Sequence, residues 1–427
     1  MRQGTVFMRC GCGGKVERKR CASCGGEGHS SWYYRVDTGA RNGQRQRRTK
    51  GGFATKSEAL AAMAKLQKDV ADGTHVEGSR QTVGQYLDGW LAGVTVRGST
   101  YNSYALAVRR LLPHIGTTTL QALTRAEIRA AYKAIGDGGR STKGNKKGGA
   151  LADKTVHNTH LALVKALSAA VEDRKLTFNP AQAAHRLVKD RPEMKTWLAS
   201  ELRAFLSQTE DLLSQADDPR SVPLPNYPLW RLAAYPLWRL AANTGMRRGE
   251  VLGLRWRDVD LDAAQLSVRQ QVARVRRKGA DGKVEVLWGY GPPKTKAGRR
   301  SIALDRGTVD ALRARRQTWA AEKVKAGQVY KDEDLVFCKV DGSRLDPDVV
   351  SGVFERLVRK SGLPRIRFHD LRHTHATLGL AAHIHPKVMS ERLGHSSITI
   401  TLDLYSHAIP ALGADAADRI AAVVDGF

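Results

Sequence analysis

The chain has 427 residues, 41% of them hydrophobic, and 70 Lys and Arg against 42 Asp and Glu, a formal charge of +28. That length exceeds one ordinary core and predicts several domains, and the charge predicts a polyanionic partner, nucleic acid before others. No apolar run approaches the ~20 residues of a membrane span, and Met1-Arg2-Gln3-Gly4 lacks the apolar stretch of a signal peptide, so a cytoplasmic protein with no membrane partner is expected.

Residues 1–30 are rich in Gly, Cys and basic groups. Cys10-x-Cys12 and Cys21-x2-Cys24 can offer four thiolates to one structural zinc, with His29 able to replace one. Clustered cysteines in a cytosolic protein favour metal over a disulfide; a reduced, metal-free segment is the alternative. Ser31–Asp37 reads as a strand and Gln44–Phe53 as its basic partner. Thr55-x-x-Glu58 is a capping box, opening a helix with Leu60, Met63, Leu66 and Val70 on its apolar side. A small sheet with one helix, carrying Arg45, Arg47, Arg48 and Lys50, suits a DNA groove; a solvated basic hairpin is the bland reading.

Gly78-Ser79 marks a boundary. Val83, Tyr86, Leu87, Trp90 and Leu91 recur at helical spacing. A second helix is expected from Ser99 to Leu112, stopping near Pro113. Thr124-x-x-Glu127 caps a third, with Ile128, Ala131, Tyr132 and Ile135 inward. The glycine-rich stretch 136–149 carries Arg140, Lys143, Lys146 and Lys147, and can follow a DNA backbone or merely connect. A long helix from Asp153 to Lys175 completes an all-helical block. Residues 185–196 form a polar linker.

A new domain begins at Trp197. Tyr227–Ala234 is repeated without a gap as Tyr235–Ala242. Successive copies would face about 80° apart on one straight helix, and Pro236 breaks such a helix, so only the second copy should lead into the segment that begins at Thr244. Leu266–Arg276, Val284–Tyr290 and Arg300–Leu304 read as strands, Gly307–Ala326 and Asp348–Ser361 as helices. Cys338, after the apolar Leu335-Val336-Phe337, reads as a buried structural residue.

Thr244-Gly245-Met246-Arg247-Arg248-Gly249-Glu250 opens a helix. Pro292-Pro293-Lys294-Thr295-Lys296 begins a basic turn between strands. Downstream come His369-x-x-Arg372, Leu393-Gly394-His395 and Tyr405-Ser406-His407. His369 and Arg372 are one helical turn apart and can face one site. Such a set suits phosphoryl transfer, which needs cations and donors for phosphate oxygens and an oxygen nucleophile. Arginine offers a planar fork to a phosphate that lysine cannot match. Glu250 and Asp370 read as braces, Arg248 as a surface or DNA-backbone charge. His373, His375 and His407 read as core or surface histidines. Tyr132, Tyr290 and Tyr330 lack the flanking pattern of a nucleophile.

In this order and spacing the five motifs resemble the tyrosine recombinase (phage integrase) family, closely over residues 197–410. Residues 80–180 look like the family's helical core-binding domain and 31–72 like the arm-type DNA-binding domain of some integrases; the Cys-rich start resembles extensions on actinobacterial integrases. The resemblance implies a multidomain fold: a Cys-rich segment (1–30), a small sheet-plus-helix arm-binding domain (31–78), an all-α core-binding domain (79–184), a linker (185–196), and a mixed, mainly α catalytic domain with a small antiparallel sheet (197–427). It implies Tyr405 as nucleophile, Arg247, Arg372 and His395 as phosphate donors, and His369 as base or hydrogen-bond partner. Lys294 would protonate the 5′-oxygen, with Lys296 its rival. No cofactor is implied for catalysis. The expected partners are double-stranded attachment-site DNA, a homotetramer on that DNA, and an excision factor. The alternatives are a type IB topoisomerase-like nicking-closing enzyme and an inactive DNA-binding regulator on the same fold. The helix expected over 411–424 can pack on a neighbouring subunit or on its own domain.

Overall fold

The computed structural model describes residues 4–12, 16–17, 20–21, 23–24, 30–41, 44–72, 76, 78–138, 150–184, 194–214, 235–278, 284–405, 421 and 424–425. It divides into two compact units: residues 1–95 with 103–188, and residues 96–102 with 189–427. The first copy of the tandem repeat, the basic stretch 139–149, and most of the expected C-terminal helix lie outside the described residues. No described helix is long and apolar enough to cross a membrane.

The first unit opens with strand β1 (Gly4–Cys10), the short hairpin β2 (Val16–Glu17) and β3 (Arg20–Cys21), then β4 (Ser30–Arg41) and β5 (Gln44–Phe53). β1, β4 and β5 form one antiparallel sheet in that order. β1 is not among the strands expected from sequence, because its partners in β4 lie 20 to 32 residues away and seven residues carry little periodic signal. Helix α1 (Lys56–Ala71) begins at the expected capping box and covers one face through Leu66, Met63, Ala62 and Val70 against Tyr34 and Val36. Leu60, expected inside, is 42% exposed, and Ala59 is buried in its place. One residue is a 100° step around the helix, and the apolar stripe runs through Ala59.

The remainder of this unit is helical. α2 (Val83–Gly93) has a Thr82–Gln85 capping box, and α3 (Gly98–Ile115) runs past Pro113 into its last turn. α4 (Arg125–Asp137) starts at the expected Thr124–Glu127 box, and α5 (Asp153–Glu172) ends three residues before Lys175. Their inward faces share one core that includes Leu87, Leu111, Ile128, Tyr132, Leu163 and Leu167. The polar ends of buried aromatics are matched: Tyr86 Oη donates to Ala166 O at 2.8 Å, and Tyr132 Oη pairs with His160 Nδ1 at 3.2 Å. Both satisfy the rule that a buried hydroxyl must keep a partner.

The second unit contains α6 (Ala199–Ser214), α7 (Tyr235–Thr244), α8 (Arg248–Leu252), and strands β6 (Val259–Asp260), β7 (Gln265–Val268), β8 (Gln271–Lys278), β9 (Val284–Gly291) and β10 (Arg300–Ala303). Helices α9 (Arg306–Ala326), α10 (Pro347–Ser361), α11 (Asp370–Ala381), α12 (Pro386–Leu393) and α13 (Ile398–Tyr405) come after them. The second repeat copy starts α7, which puts Pro236 in the first turn, where its missing N–H costs nothing. The single strand expected over 266–276 is two: β7 pairs with β10 and β6, β8 with β9. Alternation continues across the break at Arg269-Gln270, so only the change of partner reveals it. The core is led by aromatic rings. Trp197, Phe205, Trp238, Phe354 and Phe368 contact one another with centroids 5.0–6.5 Å apart. Phe368 immediately precedes His369, and the Trp197 backbone N–H donates to Thr374 Oγ1 in α11 at 3.1 Å. Cys338 is buried, as expected, against Arg315 and Tyr330.

Candidate active site

Arg247 stands at the N-cap of α8, between Met246, which enters the core, and a helix of five residues. Glu250 fixes it twice. Its carboxylate accepts the Arg247 backbone N–H at 3.0 Å and Nη1 at 2.8 Å. The Glu250 side chain is fully buried, and Arg300 Nη2 donates to its second oxygen at 3.0 Å. Burial pushes the Glu250 pKa up, but Arg300 and then Arg247 outweigh it, so the carboxyl lies below its ordinary value and stays ionised. Glu250 is therefore the brace expected of it. Arg248 points away, donating to Pro347 O and Ser351 Oγ.

Helix α11 is set by its neighbours: Phe368 and Leu371 enter the core, while Asp370 accepts three bonds from Arg367. Arg372 is thereby drawn inside and is only 4% exposed. Its Nη1 donates to Gly245 O at 2.8 Å. Its Nη2 is buried and has no hydrogen-bond partner among the described residues. Burial first, and the nearby Arg247 second, push its pKa down to about 9. Arg247 and Arg300 thus share one carboxylate, Glu250, whose charge also acts on Arg372, and the site carries excess positive charge. A buried donor left unmatched costs about 1–3 kcal/mol; an anion would match it.

Two glycines make the close approaches possible. Gly245 has φ +62, and a Cβ there would meet Leu393 Cδ2 at 2.5 Å and His375 Cδ2 at 2.8 Å. Gly394 ends α12 with φ +66, and a Cβ there would meet Ala297 O at 2.7 Å. Its own carbonyl accepts Arg247 Nη2 at 3.1 Å. His395 comes directly after it, its Nδ1 2.8 Å from Thr401 Oγ1. Burial, then Arg372 and Arg247, push the His395 pKa down to about 3, so the ring is neutral at neutral pH. His369 caps α11 and lies edge-on to His373, centroids 5.1 Å apart. Its pKa is also pushed down, by burial, then His373 and Arg372. More than a third of the residue is open to solvent, which weakens the burial contribution but leaves the direction.

The structure therefore brings Arg247, His369, Arg372 and His395 together. Lys294 and Lys296 are exposed on the connection between β9 and β10. That turn is tied to the cradle by Arg300, whose Nη1 donates to Gly298 O at 3.0 Å. Tyr405 is the last residue of α13; its side chain, and all of His407, lie outside the described residues. Tyr132, Tyr290 and Tyr330 have phenols pushed upward chiefly by burial, which disfavours them as nucleophiles.

Sequence reasoning missed the residues that hold the site. Arg300, inside the basic turn, bonds Glu250, Gly298 and the Arg392 carbonyl (2.6 Å). Arg392 donates to Ala303 O, Asn243 O and His375 Nε2, tying α12 to β10, α7 and α11. The bond requires His375 unprotonated at Nε2, and burial followed by Arg392 pushes that histidine down to about 4. The sequence shows these charges but not their partners.

Of the DNA-contact candidates, Arg47, Arg48 and Lys50 are exposed on β5. Arg48 and Lys50 stand opposite Val36 and Tyr34 on the α1 side, and Arg47 opposite Asp37 on the other face. The Arg45 side chain, and Arg140, Lys143, Lys146 and Lys147, lie outside the described residues. Cys10, Cys12 and Cys24 place their sulfur atoms within 4.8 Å of one another; the Cys21 side chain lies outside the described residues.

Two guanidiniums and neutral imidazoles around a buried donor unmatched among the described residues, with a later helix that ends on a tyrosine, suit phosphoryl transfer. Residues 207–411 match the phage integrase family and residues 23–70 an arm DNA-binding domain. The chain is 26% identical to a XerC-like tyrosine recombinase of Caldanaerobacter subterraneus, covering 86% of this chain and 89% of that one. It is 25% identical to the ICEBs1 integrase of Bacillus subtilis, covering 87% and 92%. Its fold is similar to that of the Tn1549 transposon integrase solved with transposon right-end DNA: TM-score 0.59, 22% identity, covering 80% of this chain and 99% of that one. The chain carries a phage integrase family domain over residues 207–411, and it is a site-specific tyrosine recombinase.

Proposed function

We propose that this recombinase integrates and excises a phage or other mobile element through a 3′-phosphotyrosyl intermediate at Tyr405. The observation that carries the reading is the buried Arg372 Nη2, which has no partner among the described residues and lies beside Arg247. A non-bridging phosphate oxygen is the group that fits it.

On this reading the Tyr405 oxygen attacks phosphorus and the bond from phosphorus to the 5′-oxygen breaks. The phenolic proton leaves through His369 or water. The 5′-oxygen takes a proton from Lys294, or from Lys296. Arg247 and Arg372 hold the non-bridging oxygens, where charge grows in the transition state. His395, neutral and engaged at Nδ1 by Thr401, presents Nε2–H as a third donor. The phosphotyrosyl bond keeps the energy of the phosphodiester, so a 5′-hydroxyl from a second duplex reverses the step without ATP and no resident metal is needed.

The same reading assigns the sheet of 31–78 to arm-type sites through Arg45, Arg47, Arg48 and Lys50. It assigns the helices of 79–184 to the core site, with Arg140, Lys143, Lys146 and Lys147 along the backbone, and residues 197–427 to strand transfer. Four copies act on paired double-stranded sites in the cytoplasm, with an excision factor setting direction. Cys10, Cys12, Cys21 and Cys24 hold a structural zinc.

A suicide substrate that traps covalent protein–DNA adducts tests the nucleophile: Tyr405→Phe should form none, and adducts at the wild-type level would overturn the assignment. A substrate whose leaving oxygen is replaced by sulfur needs no proton, so it should rescue whichever of Lys294→Ala and Lys296→Ala removes the acid. Relaxation of a two-site plasmid without recombinants would favour the topoisomerase-like alternative.

A further inference from the structure

The cysteines take no part in the phosphoryl-transfer chemistry, and their geometry says what a metal there would do. β1 ends at Cys10, paired with Ser30, the first residue of β4. Cys10 is 3% exposed. Its sulfur lies 3.7 Å from that of Cys24, and the sulfur atoms of Cys10, Cys12 and Cys24 all fall within 4.8 Å of each other. A disulfide requires about 2.05 Å. Thiolates at two corners of a tetrahedron with ~2.3 Å bonds to zinc stand about 3.8 Å apart. The Cys10–Cys24 separation is that of two ligands on one ion.

The elements that meet here need such a link. β2 and β3 pair over two residues each, too few for a hairpin to stand alone. Among the described residues β1 is an edge strand bonded to β4 alone, over a small core that includes Tyr34, Val36 and Leu66; small cores commonly depend on a metal or disulfide. β1 also completes the sheet face turned away from α1. There Phe7 stacks on Tyr33 at 5.8 Å, and the Arg35 guanidinium lies over Phe7 at 5.4 Å.

We infer that zinc on Cys10, Cys12 and Cys24 is a clasp that holds β1 on β4 and so completes the Phe7–Tyr33–Arg35 face. The inference rests on the proposed zinc site and is independent of the chemistry at Tyr405. Removing the ion leaves β1 with its ladder and the half-buried Val6, Phe7 and Met8 but frees its one fully buried end, Cys10, so the strand frays from that end while the helices of the same unit stay folded. Cys12 and Cys24 are exposed, which puts the ion within reach of a chelator.

The test uses the full chain. Zinc content, the visible spectrum after cobalt substitution, and amide hydrogen exchange over Thr5–Arg9 are measured with and without chelator. The same preparations are challenged with the suicide substrate. The expected result is about one zinc per chain, a tetrahedral cobalt–thiolate spectrum, and exchange in Thr5–Arg9 that speeds up on the order of a hundred-fold on chelation. Cys12→Ser should give the same change without chelator, and adducts should still form. Three outcomes would overturn the clasp: no bound zinc with Thr5–Arg9 still protected, a Cys10–Cys24 disulfide in its place, or bound zinc whose removal leaves Thr5–Arg9 as protected as before. Failure of the Tyr405 assignment appears only with the suicide substrate, so the two readings fail separately.

Discussion

The N-terminal sheet and the catalytic cradle both collect arginines, and they treat them in opposite ways. On β5, Arg47 and Arg48 are exposed, where a guanidinium is solvated and its pairing energy is small. In the cradle, Arg372 and Arg300 are nearly inaccessible, and Glu250, carbonyls and each other's neighbourhood fix them. Burying a guanidinium is expensive, so such an arrangement persists where rigid placement matters more than cost. On the proposed function, the difference separates cations that attract a polyanion from those that act on one phosphorus atom. Exposed charges release counterions and set affinity; buried forks oppose charge that exists only in the transition state.

The largest effect should come from the carboxylate that lets three arginines coexist. Glu250→Ala leaves Arg300 and Arg247 without their shared partner, and breaking a buried pair from one side costs about 3–5 kcal/mol. Chemical denaturation of the full chain should show that loss in the transition assigned to the catalytic unit. A loss below about 1 kcal/mol would mean the cradle is as loosely paired as the surface of β5, and the contrast would collapse. Next is Arg372→Lys, which keeps a charge but loses the fork. The expected result is a fall of roughly 10²–10³ in the rate of covalent adduct formation, the size seen when one preorganised donor is removed, with binding of the duplex reduced far less. Equal losses in rate and binding would place Arg372 among the affinity charges.

How far the sequence discloses these two regions differs for a physical reason. Helix starts are legible because a cap is local: Thr55 with Glu58 and Thr124 with Glu127 lie within one turn. The order of Arg247, His369, Arg372 and His395 is legible as a motif, and the structure brings those four together. What holds them is not. Arg300 meets Glu250 across 50 residues and the Arg392 carbonyl across 92, and nothing in a basic turn distinguishes the buried arginine from its exposed neighbour Arg299. The same limit hides β1, whose partner is distant, and misplaces Leu60, since a stripe read from spacing can be rotated by one residue when Ala59 fits the sheet better.

A pH titration sharpens the comparison without a mutation. His375 and His395 are pushed down to about 4 and about 3 by burial and adjacent guanidiniums. Above the ordinary value near 6.5 both are neutral in folded and unfolded chains and contribute nothing to pH dependence. As pH falls below 6.5 the unfolded chain takes up protons that the folded chain refuses, so stability declines, by up to about 1.4 kcal/mol per pH unit for each histidine. The decline should be visible in denaturation midpoints between pH 6.5 and 5, where carboxylates still contribute little. Sulfate, an anion for the cradle, should make it shallower by favouring a charged His395. A flat profile in this window would show that the imidazoles are solvated like the exposed charges of β5.

The smallest effect belongs to the sheet. Arg47 pairs with Asp37 across the strands, is exposed, and sits on the face away from α1. If it meets only phosphates, Arg47→Ala removes one counterion-releasing contact. The affinity of the full chain for a duplex should then fall modestly, and the slope of log affinity against log salt should drop by about one. The fall should be the same for every duplex sequence tried, because a phosphate contact carries no base information. Arg48→Ala supplies the control for orientation: it lies on the α1 side of the same strand, so a sheet that presents its open face to DNA predicts a smaller change in slope there. Equal slopes for the two variants would mean that DNA approaches the strand edge rather than the face, and that β5 behaves as a solvated basic hairpin near DNA instead of an element placed within a groove.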